Sequence, residues 1–319
     1  MFKWRKGGIV FAPDQSKDWM HSHAQVPYAL EFDDKIRVYF STREKIDVQG
    51  QYISHSGYVD FSRKNFPEIL EVAKKPIIPL GATGEFDEFG SMAGSVIRHE
   101  NKYYLYYCGW TREVSVPYAW AIGLAISEDG ASFKKIGKGP LLGPTLHEPY
   151  LQACPIVYRT SGNNWLMFYL SGTKWITQNG KLDSQYLLMR ARSADGIHWE
   201  RESKPIIPTT VEDECQTSAS IIQRNGIYHM FFSYRHGTQF RNDKSRGYRI
   251  GYASSPDLIV WSRDDSKAGL KPSPDGWDSA MVAYPHLFNI GERLIMLYCG
   301  NDFGERGFGY AELEEAPTP

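Results

Sequence analysis

One structural sentence recurs five times in this chain, and that repeat limits the fold more than any other feature. An aromatic-rich core reads RVYFSTR at 37–43, YLYYCGW at 104–110, LMFYLSG at 166–172, HMFFSYR at 229–235 and IMLYCGN at 295–301. Anchored on Tyr39, Tyr106, Phe168, Phe231 and Leu297, the steps are 67, 62, 63 and 66 residues. Each core follows a segment of mostly small or apolar residues (AQVPYALEF, SMAGSVIRH, LQACPIVYR, QTSASIIQR, MVAYPHLFN) and a turn. The turns are Asp33-Asp34, Glu100-Asn101, Ser161-Gly162-Asn163, Asn225-Gly226 and Ile290-Gly291, residue types that reverse an antiparallel chain. Third strands follow at 121–127, 186–193, 248–255 and 306–312, and outer segments at KPIIPLG (75–81), GPLLGPT (139–145) and KPIIPTT (204–210). A fixed period with four short strands per unit predicts an all-β, five-bladed β-propeller of four-stranded antiparallel blades. The last unit has no outer strand after 315, and GGIVFAP at 7–13 is the expected replacement. An N-terminal strand in the last blade closes the ring and removes its open edges. The whole of 1–319 then reads as one propeller domain, with no helix longer than a turn or two.

Composition narrows the partners. The 36 basic and 37 acidic residues nearly cancel, so neither nucleic acid nor a membrane surface is expected. The start, MFKWRKGGIVFAP, lacks the apolar run and cleavage site of a signal peptide, and no stretch approaches membrane-span length. Cys108, Cys154, Cys215 and Cys299 fall in different blades without metal-ligand spacing. They read as free thiols in a reducing compartment, and cytoplasm is the expected location. No metal or other cofactor is expected. Aromatics make up 14% of the chain, and Tyr and Trp serve both strand packing and sugar stacking.

Meander geometry indicates where chemistry belongs. Loops entering each first strand, and loops leaving each aromatic strand, emerge on one face around the central funnel. Counting back from the anchors, Asp87, Glu148, Glu214 and Asp278 lie 19, 20, 17 and 19 residues upstream. Four units thus carry a carboxylate at one equivalent position. The first unit offers His21 and His23 there instead, with Asp18 slightly further out, in DWMHSHAQVP. The second class of loop adds Arg43, Trp110, Arg112, Trp175, Arg235, Arg241 and Asn301-Asp302. Acids, arginines and tryptophans together match a carbohydrate, because aromatic faces stack on C–H surfaces and charged forks hold hydroxyls. Asp87 in EFDEFG and Asp278 in GWDSAM have a second reading, as acceptors that pin the blade junction. Asp129, Asp195 and Asp257 occupy Ser-x-Asp turns on the opposite face and read as structural, with Trp199 and Trp261 as wedges between blades. Arg235, Arg241, Arg246 and Arg249 fall within fifteen residues, which is either a solvated loop or a clamp for an anion.

The segments SHAQVP (22–27), RVYFSTR (37–43), GEFDEFGSM (84–92), YLYYCGW (104–110), EPYLQACP (148–155), YRIGYASS (248–255), GWDSAMVAYP (276–285) and CGNDFGERGFGYA (299–311) carry a resemblance. Through them the chain resembles the five-bladed β-propeller glycosidase superfamily of arabinanases, levanases and mannoside phosphorylases. The branch it is most similar to is often associated with bacterial surface-polysaccharide loci. The resemblance implies a first-blade Asp as base or nucleophile, a second-blade Asp that orients, and a third-blade Glu as general acid. Glu148 and Asp87 are the positional matches for the last two. HSHAQVP departs from the pattern, having no Asp at the first-blade place. Some members hold a cation at the propeller axis, although no ligand spacing in this chain indicates one.

The leading expectation is a glycoside hydrolase acting on an oligo- or polysaccharide. Glu148 protonates the leaving oxygen and Asp278 or Glu214 activates water, while His21, His23, Gln25, Arg43, Trp110, Trp175, Arg235, Arg241 and Asn301 bind the sugar. Two alternatives stand beside it. One is a phosphorylase or transglycosylase that holds an anion on its arginines, and the other is a non-catalytic sugar-binding propeller.

Overall fold

The computed structural model describes residues 1–46, 52–160, 164–178 and 180–315, so the turn expected at 161–163 lies outside the described residues. Strand β1 (Lys3–Phe11) opens the chain. The first repeat forms β2 (Ser22–Glu31), β3 (Lys35–Arg43), β4 (Ser54–Ser62) and β5 (Ile69–Val72). The second forms β6 (Gly90–His99), β7 (Lys102–Thr111), β8 (Ala119–Ser127) and β9 (Lys134–Lys135). The third forms β10 (Gln152–Arg159), β11 (Trp165–Gln178), β12 (Lys181–Ser193) and β13 (Glu200–Arg201). The fourth forms β14 (Cys215–Arg224), β15 (Ile227–Arg235), β16 (Arg249–Ser255) and β17 (Ser262–Arg263), and the last β18 (Ala283–Ile290), β19 (Arg293–Cys299) and β20 (Phe308–Glu315). Each repeat is an antiparallel meander, and β1 pairs antiparallel with β20 as the fourth strand of the last one. A single parallel pairing, Ser54 with Gly90, joins the first two meanders. First strands contact one another in the order β2, β6, β10, β14, β18, and β18 also contacts β2. Helical structure among the described residues is limited to two 3₁₀ turns and the short turn Asn301–Gly304. No described helix is long and apolar enough to cross a membrane.

The fourth strands correct one expectation. They are two to four residues long in the first four repeats and lie upstream of the Pro-rich segments. KPIIPLG, GPLLGPT and KPIIPTT instead make isolated bonds to third strands: Ile77 N–H to Ser56 C=O, Leu142 N–H to Ile122 C=O, and Ile206 N–H to Leu188 C=O. Proline lacks a backbone donor, which breaks a continuous ladder.

Aromatic wedges fill the space between meanders. Phe133 packs with Tyr39 and Tyr58 of the first repeat and Tyr107 of the second. Trp199 packs against Tyr106 and Trp165, and Trp261 against Phe168 and Phe232. Tyr39 and Tyr106 donate their hydroxyls to Gly130 O and Gly196 O of the following repeat's turn, at 2.7 and 2.8 Å. Those turns are built as expected. Asp129 accepts from Ala131 and Ser132 N–H, Asp195 from Ile197 and His198, and Asp257 from Ile259 and Val260.

Every first strand breaks register at the same place, after Gln25, Ala93, Ala153, Thr217 and Ala283. Four of these bulges put a residue other than glycine in the left-handed region: Val26 (φ 51°), Cys154 (49°), Ser218 (52°) and Tyr284 (56°). Gly94 takes the fifth place. A bulge re-aims the side chain it carries, so these residues leave the sheet alternation.

Candidate functional site

Asp87, Glu148, Glu214 and Asp278 precede the first strands of four meanders, and all four are buried. Each is held inside its own meander. Asp87 accepts from the Tyr107 hydroxyl at 2.9 Å and pairs with Lys135 at 2.6 Å. Asp278 accepts from Tyr298 at 3.0 Å and pairs with Lys6 at 2.6 Å. Glu148 accepts from Tyr169 and Ser203, both at 2.9 Å, with Arg201 at 3.5 Å. Glu214 accepts from Arg263 at 2.6 Å, from Gln216 at 2.8 Å and from the Thr210 and Val211 N–H groups at 2.8 and 3.1 Å.

A rule connects the four. The cation always comes from the meander's outermost strand: Lys135 in β9, Arg201 in β13, Arg263 in β17 and Lys6 in β1. The tyrosine is the residue after each anchor, and a Cβ on Gly123 of β8 would collide with the Tyr107 ring. Where that residue is Phe232, Glu214 turns to an amide and backbone donors instead. In the first meander it is Phe40, and Trp19 stands where the carboxylate would be, its ring lying with Phe40 over Gly57. The equivalence of four acids therefore marks a repeated clamp. Among the described residues each of Asp87, Glu148, Glu214 and Asp278, expected to be catalytic, is thus engaged by a cation of its own meander. A buried charge removed from water needs such a partner.

Arg235, which is buried, and Arg43, which is half-buried, form no such ion pair among the described residues. Arg235, at the end of β15, donates Nη1 to His236 O at 2.8 Å and Nη2 to the Tyr186 hydroxyl at 3.1 Å. Its guanidinium lies 3.6 Å from the Phe240 ring centre and 5.4 Å from those of Tyr186 and Tyr248, whose hydroxyls are 2.5 Å apart. Arg43, at the end of β3, lies 4.7 Å from the Tyr52 ring centre, and burial pulls its pKa down. The Nε of both arginines is buried without a hydrogen-bond partner. Among the described residues, neither forms an ion pair. Tyr284 stands in the electrostatic field of both guanidiniums, its ring 5.6 Å from Tyr248. An aromatic wall leads to this place. Tyr118 stacks on Trp120 at 4.6 Å, Trp175 lies 5.3 Å from Tyr118, and Trp120 lies 6.3 Å from Tyr186. Trp175 is carried by the β11–β12 hairpin, whose strands of 14 and 13 residues are the longest described.

The remaining expected residues divide between the surroundings of these arginines and other tasks. His23 is buried beside Arg43, its Nδ1 2.9 Å from Ser22 Oγ; burial first, and the Arg43 charge second, bring its pKa to about 3. His23 is thus neutral at neutral pH. His21 donates its backbone N–H to Arg43 O at 2.9 Å. Gln25 donates to Phe303 O at 2.7 Å, and Phe303 in turn packs on Tyr248. Trp110 packs over Gly90 beside Phe89. Arg241 lies at the surface on Asp183 at 2.8 Å. Asn301, expected to bind substrate, has its side chain engaged by Ala280 N–H, Met281 N–H and Gly276 O, which ties down 276–281. Arg246 and Arg249 are bound to Thr238 and to backbone carbonyls of 244–248 and Ala280, so the basic run is no single clamp. Tyr52, Tyr186, Tyr248 and Tyr284 are the residues around the two arginines that sequence reasoning missed. One signal was available for Tyr284: it precedes Pro285 as Cys154 precedes Pro155 and Val26 precedes Pro27. Among the described residues no group of three or more His, Cys, Asp or Glu side chains is placed to hold a metal, and all four cysteines are free thiols.

No family model matches the chain. Its fold is similar to that of a solved glycoside hydrolase, with a TM-score of 0.77 at 16% identity over 100% of this chain and 96% of the other. It is also similar to a structure from work on the GH130 family of mannoside phosphorylases, with a TM-score of 0.70 at 15% identity over 100% and 96% of the two chains. In sequence it is 25% identical over 220 residues to a 1,2-beta-oligomannan phosphorylase of Thermoanaerobacter sp. strain X514, covering 67% of this chain and 65% of that protein. Uncharacterized protein Rv1502 of Mycobacterium tuberculosis is 35% identical over 313 residues, 98% of this chain and 99% of that one. The chain belongs to the family of this mycobacterial protein.

Proposed function

We propose that residues 1–319 form one five-bladed propeller and that the protein is a carbohydrate-active enzyme transferring a glycosyl group to inorganic phosphate. The observation that carries this reading is the pair Arg43 and Arg235. Arg235 is buried and Arg43 half-buried, both have a buried Nε without a hydrogen-bond partner, and neither forms an ion pair among the described residues. A dianion seated between them would compensate both charges, and guanidinium forks match phosphate oxygens. The wall of Trp175, Tyr118 and Trp120 supplies apolar faces for sugar rings. The oligomannan phosphorylase relative supports phosphate as the anion and a mannoside as the donor. A hydrolase built on Glu148 and Asp278 is less well supported, because the clamps already neutralise both carboxylates. Four free thiols support the expected reducing, cytoplasmic setting.

Incubation with β-1,2-linked oligomannans, with and without phosphate, tests the reading. The expected result is a sugar 1-phosphate formed only when phosphate is present, with Arg43→Met and Arg235→Met each abolishing it. Release of free sugar independent of phosphate would restore the hydrolase. Tight oligosaccharide binding without turnover would leave a sugar-binding propeller.

A further inference from the structure

We infer that the proton donor of this site is Tyr284, the bulge residue of β18; the inference rests on the glycosyl-transfer reading above. Five bulges put five residues at equivalent places on the first strands: Val26, Gly94, Cys154, Ser218 and Tyr284. None is a carboxylate. General acid catalysis nevertheless needs a protonated group within reach of the leaving oxygen. Tyr284 is partly exposed, whereas the Tyr107, Tyr169 and Tyr298 hydroxyls are buried on carboxylates. Its own hydroxyl has no hydrogen-bond partner among the described residues. Its backbone is fixed: the N–H donates to Ser233 Oγ at 2.7 Å, φ is 56°, and Pro285 follows. A bulky residue is strained in the left-handed region, and such positions concentrate at functional sites. Cys154 is a poorer donor, since its thiol is engaged by the Thr217 and Ser218 hydroxyls. Burial pushes the Tyr284 pKa up and the Arg235 charge opposes that rise, so the phenol carries its proton at neutral pH.

The step balances without a further reactant. As the bond from the anomeric carbon to the leaving oxygen breaks, the Tyr284 O–H proton passes to that oxygen. A phosphate oxygen, oriented by Arg43 and Arg235, forms the new bond to the anomeric carbon. The proton of hydrogen phosphate then returns to the phenolate. Both guanidiniums stabilise the phenolate during its brief existence.

Tyr284→Phe removes one unpartnered hydroxyl and leaves the packing in place. Two donors separate its roles: an oligomannan, whose leaving alcohol needs a proton, and a nitrophenyl mannoside, whose leaving phenol does not. The expected result is a loss of at least ~100-fold in kcat on the oligomannan and under ~5-fold on the aryl glycoside. Phosphate should raise the melting temperatures of the variant and of the wild type by the same amount. In addition, 3-fluorotyrosine at position 284 should move the alkaline limb of the pH profile to lower pH. Equal losses on both donors, no loss on either, or an unmoved alkaline limb would overturn the assignment while leaving phosphorolysis intact. Failure of the wild type on both donors would instead remove the glycosyl-transfer reading.

Discussion

Replacing Lys135 by methionine separates a structural carboxylate from a catalytic one. Asp87 is 0% exposed and its one cationic partner, 2.6 Å away, has a side chain only 13% exposed. Removing the ammonium leaves the carboxylate buried with the Tyr107 hydroxyl at 2.9 Å and an Oδ1 that already lacks a partner. Breaking a buried pair from one side costs about 3–5 kcal/mol, mostly the penalty of the stranded charge. Replacing both members by apolar residues of similar size is often close to neutral. Asp87→Leu with Lys135→Met should therefore recover most of what Lys135→Met loses. At roughly 2 °C per kcal/mol for a large domain, the single variant should melt about 6–10 °C lower. Thermal and urea unfolding followed by circular dichroism measure both variants. The shift produced by saturating phosphate should be the same in wild type, single and double variants. A loss below about 1 kcal/mol in the single variant, or a double variant that is stable yet blind to phosphate, would refute the clamp.

Two further outcomes follow from the same geometry. Tyr106→Phe removes the hydroxyl held 2.8 Å from Gly196 O between two repeats, and should cost about 1–2 kcal/mol in urea unfolding without changing phosphate binding. His286 is buried against Ala29 O, and burial lowers its pKa from 6.5 to about 4. Between those pH values the unfolded chain binds the extra proton, so stability must fall as pH drops through that window. At about 1.4 kcal/mol per pH unit the loss from this residue is capped near ~3 kcal/mol at pH 4, and His286→Gln should flatten that part of the stability curve.

The repeat was legible because each meander is local: first, aromatic and third strands are neighbours in sequence and share one pattern of turns. The fourth strands were not, since a two-residue strand carries no periodicity and the Pro-rich segments nearby imitate one. Spacing found Asp87, Glu148, Glu214 and Asp278 but not the partners that hold them. Equivalence along the chain says nothing about which way a carboxylate points, and the deciding cations lie far off, Lys6 being 272 residues from Asp278. The covariation of Tyr107, Tyr169 and Tyr298 with an acid, and of Phe40 with Trp19, was present in the sequence and could have exposed the clamp. Of the residues expected to bind sugar, His23 lies beside Arg43, and Gln25 holds Phe303, which packs on Tyr248 beside Arg235. Tyr186, Tyr248 and Tyr284 were hidden because Tyr186 lies in a third strand and Tyr248 directly before one, in segments that read as ordinary β-structure, and Tyr284 depends on a bulge.

A crystal grown with phosphate or a slow glycosyl phosphate analogue tests the central claim most directly. The account predicts an anion between the Arg43 and Arg235 guanidiniums, within hydrogen-bond distance of the Tyr284 hydroxyl, with the four carboxylate clamps unchanged. An anion or sugar seated on Glu148 and Asp278 with their ion pairs opened, and the two arginines left empty, would contradict it.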